Sequence, residues 1–197
     1  MVRLSTLSLV ASCVPLSVLV FGPVGVWRHN VLEFPFRISE ALPHLLGLSV
    51  AGTAAILSGL LLLKGHWRVR AVALLLGLGT ALWIQGTFLT WSYGAFDGRA
   101  IDWAQKPWRG WVDLAVWAGV LGLFLFGWRH VRTHAAPVAG ALIAIPGIAS
   151  LVLILSVDAY PSYRRNAVDP SVMFRLSSSR NVLVLVLDGL QTTEFHR

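Results

Sequence analysis

The chain has 197 residues, 56% hydrophobic and only 13% charged, with a mean hydropathy of +0.70. An ordinary soluble domain carries about 25% charged residues, so this balance excludes a disordered chain, argues against a water-exposed globule, and fits a chain whose solvent is largely lipid. The net charge of +7 sits in short links between apolar blocks rather than along one face or tail, which disfavours nucleic acid as a partner and points to charges that set membrane topology.

Five segments reach the roughly 20 apolar residues that a spanning helix needs. They cover residues 4–27, 44–63, 71–91, 111–127 and 136–156, within a membrane domain over 1–157. The first is uncharged from Leu4 to Trp27. It is long for a cleaved signal and has no clear small-x-small site before Arg28, so it reads as an uncleaved signal anchor. Its Val10-Ala11-Ser12-Cys13 run resembles a lipoprotein cleavage box. Apolar sequence continues past it through Val20 and Phe21, so Cys13 reads as an inert thiol within a helix, and a lone cysteine can form no intrachain disulfide. Gly47, Gly52 and Gly59 in the second segment, and Gly77 and Gly79 in the third, would let helices approach closely in lipid. The fourth segment is the shortest and carries Asp113 near one end. Pro146 predicts a local kink in the fifth.

The links fix an orientation. Lys64 to Arg70 carries three fixed positive charges and Trp128 to His134 carries two, with no acids in either. In Arg28 to Pro43, and again in Ser92 to Gly110, cations are largely balanced by acids. The acid-free links are therefore expected in the cytoplasm, with Arg3 and the N-terminus. An odd number of spans places everything after Ser156 outside. Trp27, Trp67, Trp91, Trp108, Trp111 and Trp128 fall near the predicted span ends, as an interfacial belt does.

Residues 158–180, with Tyr160-Pro161-Ser162-Tyr163-Arg164-Arg165 and Ser177-Ser178-Ser179-Arg180, lack helical periodicity and read as an extracytoplasmic linker. Then comes Asn181-Val182-Leu183-Val184-Leu185-Val186-Leu187-Asp188-Gly189, an apolar run closed by a carboxylate. It predicts a buried strand with Asp188 at its C-terminal tip, where ligand sites of open α/β sheets form. A carboxylate there needs a partner or a metal, or it caps the helix that follows. The residues alone leave both readings open.

This stretch resembles the opening strand of the alkaline phosphatase superfamily, which includes sulfatases, phosphodiesterases, phosphoethanolamine transferases and lipoteichoic acid synthases. The resemblance implies that Asp188 is a ligand of a catalytic divalent metal. It also implies that 181–197 starts a sulfatase-like α/β domain, truncated here. Several branches of the superfamily place five membrane helices ahead of an extracytoplasmic catalytic domain, the layout predicted above. The loop Tyr93 to Trp103 more weakly resembles one in membrane-anchored sulfatase-like proteins. The expected fold is thus a polytopic helical bundle, a linker, and the first strand of a catalytic domain.

The remaining site elements are not assignable. Thr192 and Thr193 lie too close to Asp188 to be the nucleophile that the resemblance implies, and His196 is not at a ligand position. The expected partners are the bilayer and the missing C-terminal catalytic domain. The metal belongs to the full-length parent, expected to be a sulfate- or phosphate-ester hydrolase or transferase in a bacterial cytoplasmic membrane. This chain alone is expected to be inactive and to hold no metal stably. Further candidates are Asp113, which lies shallow enough to reach water and has as its alternative a pairing with Arg109 or contact with a lipid-type substrate, and Asp97, Arg99 and Asp102 in the outer loop. His130 and His134 have metal-ligand spacing, but flanking Arg129 and Arg132 would repel a cation; like His44 and His66, they read as interfacial histidines. The rival reading is a self-contained small membrane protein with a transport or assembly role.

Overall fold

The computed structural model describes residues 3–31, 34, 36–91 and 107–156. Five helices there are long and apolar enough to cross a bilayer: α1 Leu4–His29, α2 Ile38–Leu62, α3 Gly65–Phe88, α4 Trp108–Phe126 and α5, whose full extent is Trp128–Leu155. The predicted linker at 158–180, the strand ending at Asp188, and Asp97, Arg99 and Asp102 all lie outside the described residues.

Packing shows that the helices alternate in direction. One core cluster gathers Leu7, Val10, Ala11 and Cys13 from the first half of α1 with Leu60 near the end of α2. Val72 and Leu76 from the first half of α3, and Ala135, Ala139 and Leu142 of α5, complete it. A second cluster joins Val24 and Trp27 of α1 to Ile38 at the start of α2, with Ile154 of α5 packed against it. Helices α1, α3 and α5 pack on one another; α2 lies mainly on α1, and α4 mainly on α3. Little of α4 is covered, and Trp111, Leu114, Leu123 and Phe126 are exposed. In water such a surface would aggregate; in a bilayer it faces acyl chains.

Small residues set the closest approaches. A methyl group on Gly77 would lie 3.2 Å from Phe124 Cβ and 3.3 Å from Leu121 Cδ2 of α4. One on Gly79 would lie 3.4 Å from Cys13 and Leu142, and one on Gly52 3.4 Å from Pro15. Gly47 and Gly59 face open space instead, so the small-residue expectation holds for three of those five glycines.

Helix α1 carries a π-helical turn at Ser17–Phe21, closed by the Gly22 N–H donating to the Ser17 carbonyl. Pro23 follows directly. A proline ring crowds the carbonyl four residues back, here that of Leu19, and widening the turn relieves that contact.

Helices α2 to α5 all begin earlier than hydropathy predicts. Helix α2 starts at Ile38 rather than residue 44, because Ile38 is buried against Trp27 and Glu40 accepts a 3.4 Å hydrogen bond from the Arg37 N–H. Pro43 is accommodated inside the helix. The basic links are themselves helical. Only Leu63 and Lys64 separate α2 from α3, and Gly127 alone separates α4 from α5. Gly65 supplies the one left-handed backbone conformation among the described residues, at φ +58°. Arg68 reaches back to donate to the carbonyls of Leu63 (2.8 Å) and Leu61 (3.0 Å), satisfying the end of α2. Helix α5 runs unbroken through Pro137 and Pro146.

Candidate functional site

The end of α3 and the start of α4 bring polar groups together inside an otherwise apolar bundle. Arg109, Asp113 and Trp117 are spaced four apart on α4, so they share one face. Trp91, just beyond α3, donates from Nε1 to Asp113 Oδ1 at 2.8 Å. The Trp91 ring meets Trp108 edge-on, with centroids 5.3 Å apart. The Arg109 guanidinium stands 5.5 Å from the Trp91 centroid and 6.0 Å from that of Trp108, within cation–π range. One turn further along α4, Trp117 Nε1 donates to Gln85 Oε1 at 3.0 Å, while Gln85 Nε2 donates to the Leu89 carbonyl at 3.2 Å.

The physical reason is the solvent. A carboxylate or an amide within a span-length helix must find a partner inside the protein. Asp113 and Gln85 find theirs in indole N–H groups, which donate without adding charge. Asp113, Gln85, Trp91, Arg109 and Trp117 are all half-buried. The seam therefore fastens α4 to α3 and leaves a mixed acidic and basic surface at that end. Such a surface can hydrogen-bond a zwitterionic or polar headgroup. Among the described residues no three His, Cys, Asp or Glu side chains gather as a metal site.

Of the five acidic and basic candidates Asp188, Asp113, Asp97, Arg99 and Asp102, Asp113 is the one within the described residues. Asp188, Asp97, Arg99 and Asp102 fall outside the described residues. His130 and His134 sit in the first turns of α5, with His134 Nδ1 3.1 Å from the His130 carbonyl oxygen. Gln85 and Trp117 were missed. A lone amide inside an apolar span was the available signal for Gln85. Its indole partner lies 32 residues away, beyond the reach of any local pattern.

The chain matches no protein-family model, no curated protein and no solved structure.

Proposed function

We propose that the bundle is the membrane anchor of a metal-dependent, sulfatase-like hydrolase or phospho-transferase of the alkaline phosphatase superfamily. Its catalytic domain lies on the side of the membrane opposite the N-terminus. The order of parts carries this reading: five helices able to cross a bilayer, followed in sequence by the Asn181 to Asp188 apolar run and Gly189. That run has the character of the strand with which the superfamily opens its catalytic domain.

Charge supplies the orientation. Lys64, Arg68, Arg70, Arg129 and Arg132 occupy the ends of helices that meet at one end of the bundle, with no acid near them in sequence. That end faces the cytoplasm under the positive-inside rule, as in a bacterial inner membrane. Five crossings then carry residues after Ser156 to the outside. The Asp113 seam lies at the outer end, at the level of lipid headgroups, and Asp97, Arg99 and Asp102 belong to the loop preceding it.

Asp188 is the residue that the resemblance assigns to a divalent ion. Bound in such an enzyme, that ion would polarise a sulfate or phosphate ester and activate a hydroxyl nucleophile. In this reading the bundle supplies position. It confines the reacting centre to the membrane surface.

Reporter fusions after Arg197 test the geometry. A periplasmic phosphatase reporter should be active there, and a fluorescent reporter that folds only in the cytosol should stay dark. The reverse pattern would put Asp188 in the wrong compartment and end the reading. In the product of the complete reading frame, Asp188→Asn should lower divalent-metal-dependent cleavage of p-nitrophenyl sulfate or phosphate by at least about 100-fold. Even residues that only support a ligand cost 10–100-fold. A frame that closes at Arg197 would favour a self-contained membrane protein.

A further inference from the structure

At the opposite end from the Asp113 seam, the structure holds a second feature that needs no enzyme to explain it. Gly127 turns α4 directly into α5: its N–H donates to the Leu123 carbonyl at 2.9 Å, and its own carbonyl accepts from His130 N–H at 2.9 Å. A side chain there would collide with the Leu123 carbonyl at 2.7 Å. From this junction the helices part, because α4 packs on α3 while α5 packs on α3 and α1. The wedge left between them is a cavity of about 340 Å³, within the size range of small-molecule sites (~300–1,000 Å³). Its walls are Leu76, Leu123, Phe124, Val131 and Val138. His130 and His134 complete its lining, and both are exposed.

Next to this apolar wedge is a cationic, aromatic rim. The Arg70 guanidinium lies 5.6 Å from the Trp128 centroid and 5.3 Å from that of Trp67. Arg129 lies 5.5 Å from the Trp128 centroid. Trp128 and Arg129 fall in sequence between Gly127 and His130, both of which line the cavity. The sequence contains no Asp or Glu from Ala41 to Phe96, nor from Leu114 to Val157. Helices α3 and α5 thus hold no acid, and Asp113 of α4 lies at the far end of that helix from the rim. A greasy slot between membrane-length helices, with an arginine near the start of each of two of them, matches an acyl chain joined to an anionic headgroup. Tryptophan at the same level is the usual neighbour of the glycerol and carbonyl region.

We infer that the wedge between α3, α4 and α5 is a binding site for one anionic phospholipid, its acyl chain against Leu76, Phe124 and Val138 and its phosphate on Arg70 and Arg129. The lipid would fill the gap that the one-residue junction leaves and would brace α4, the least covered helix, against the bundle.

The test uses the full chain, delipidated in a neutral detergent, with phosphatidylglycerol and phosphatidylcholine of identical acyl chains added separately. Retention is read by native mass spectrometry, and stabilisation by the thermal midpoint. Phosphatidylglycerol should be retained in preference and should raise the midpoint. Arg70→Gln with Arg129→Gln should weaken that retention roughly fivefold for each arginine removed, so about 25-fold for the pair. Val138→Trp, which fills the slot, should abolish it. Arg70→Lys with Arg129→Lys should keep the preference. Equal retention of both lipids by the unaltered chain would show annular lipid only and overturn the site, whatever the variants do. So would an undiminished preference in the paired Gln variant or in Val138→Trp. Glycerol phosphate or inorganic phosphate raising the midpoint as much as the lipid would equally overturn it, since a free anion needs no slot.

Discussion

Asp113 shows how a charged group is made tolerable in lipid. Its Oδ1 receives the Trp91 indole N–H at 2.8 Å, and Trp91 in turn lies under Arg109. One ring therefore serves two charges of opposite sign, through its edge and its face. Hydrogen bonds to charged groups typically contribute about 1.5–3 kcal/mol in water-soluble proteins, whereas measured pairs in membrane helices average ~0.6 kcal/mol. Asp113 is only half-buried, so the expected value lies between. A double-mutant cycle of Trp91→Phe and Asp113→Asn, read by unfolding in micelles, should give a coupling of about 1 kcal/mol. Phenylalanine keeps a face for Arg109, so the cycle isolates the N–H. A coupling of zero would mean that the two side chains meet without holding α4 to α3.

Hydropathy located the five helices but misplaced several of their ends, for a definable reason. It senses the thickness of the apolar slab, not the length of the helix. Arginine is a good helix former and histidine an acceptable one, so α3 and α5 extend through the basic links to Gly65 and Trp128. Glycine is similarly ambiguous in sequence: Gly59 and Gly77 both sit in apolar helices and look alike there. In the structure a Cβ at Gly59 meets nothing within 4 Å, while one at Gly77 meets Phe124 Cβ at 3.2 Å. Phe124 Cβ is fixed to the α4 backbone, so the helix itself must shift. Gly77→Ala should therefore be less stable than Gly59→Ala by about 1–2 kcal/mol, in line with the cost of overpacking. Thermal inactivation in micelles would measure the gap, and equal stabilities would show that α4 moves freely on α3. The seam was legible in part. Asp113 declared itself by its charge, but Gln85 and Trp117 are defined by a contact that spans two helices.

The two core clusters make the bundle an alternating array, with α1, α3 and α5 running one way and α2 and α4 the other. Alternation has a consequence that labelling can reach directly. Cys13, the sole cysteine, is fully buried between α1 and α5, and a thiol shut away from water does not form the reactive thiolate. The unaltered chain should thus be silent to a membrane-impermeant maleimide, leaving a clean background for introduced cysteines. Lys64 at the α2–α3 junction, Pro107 before α4 and Ser156 after α5 are exposed positions. If the cationic end faces the cytosol, Pro107→Cys and Ser156→Cys should label in intact cells, and Lys64→Cys only after permeabilisation. The mirror result would keep the alternation and reverse the orientation, which would place the chain beyond Ser156 with the cytosol. Labelling of Lys64→Cys and Pro107→Cys from the same side would be more damaging, since α3 joins those two ends and must cross the bilayer to separate them. The balance of forces favours the first outcome. Arg68, Arg70 and Arg129 would all have to cross the membrane together to reach the other side, and each strongly basic residue costs roughly 2.5–3.5 kcal/mol at the bilayer centre.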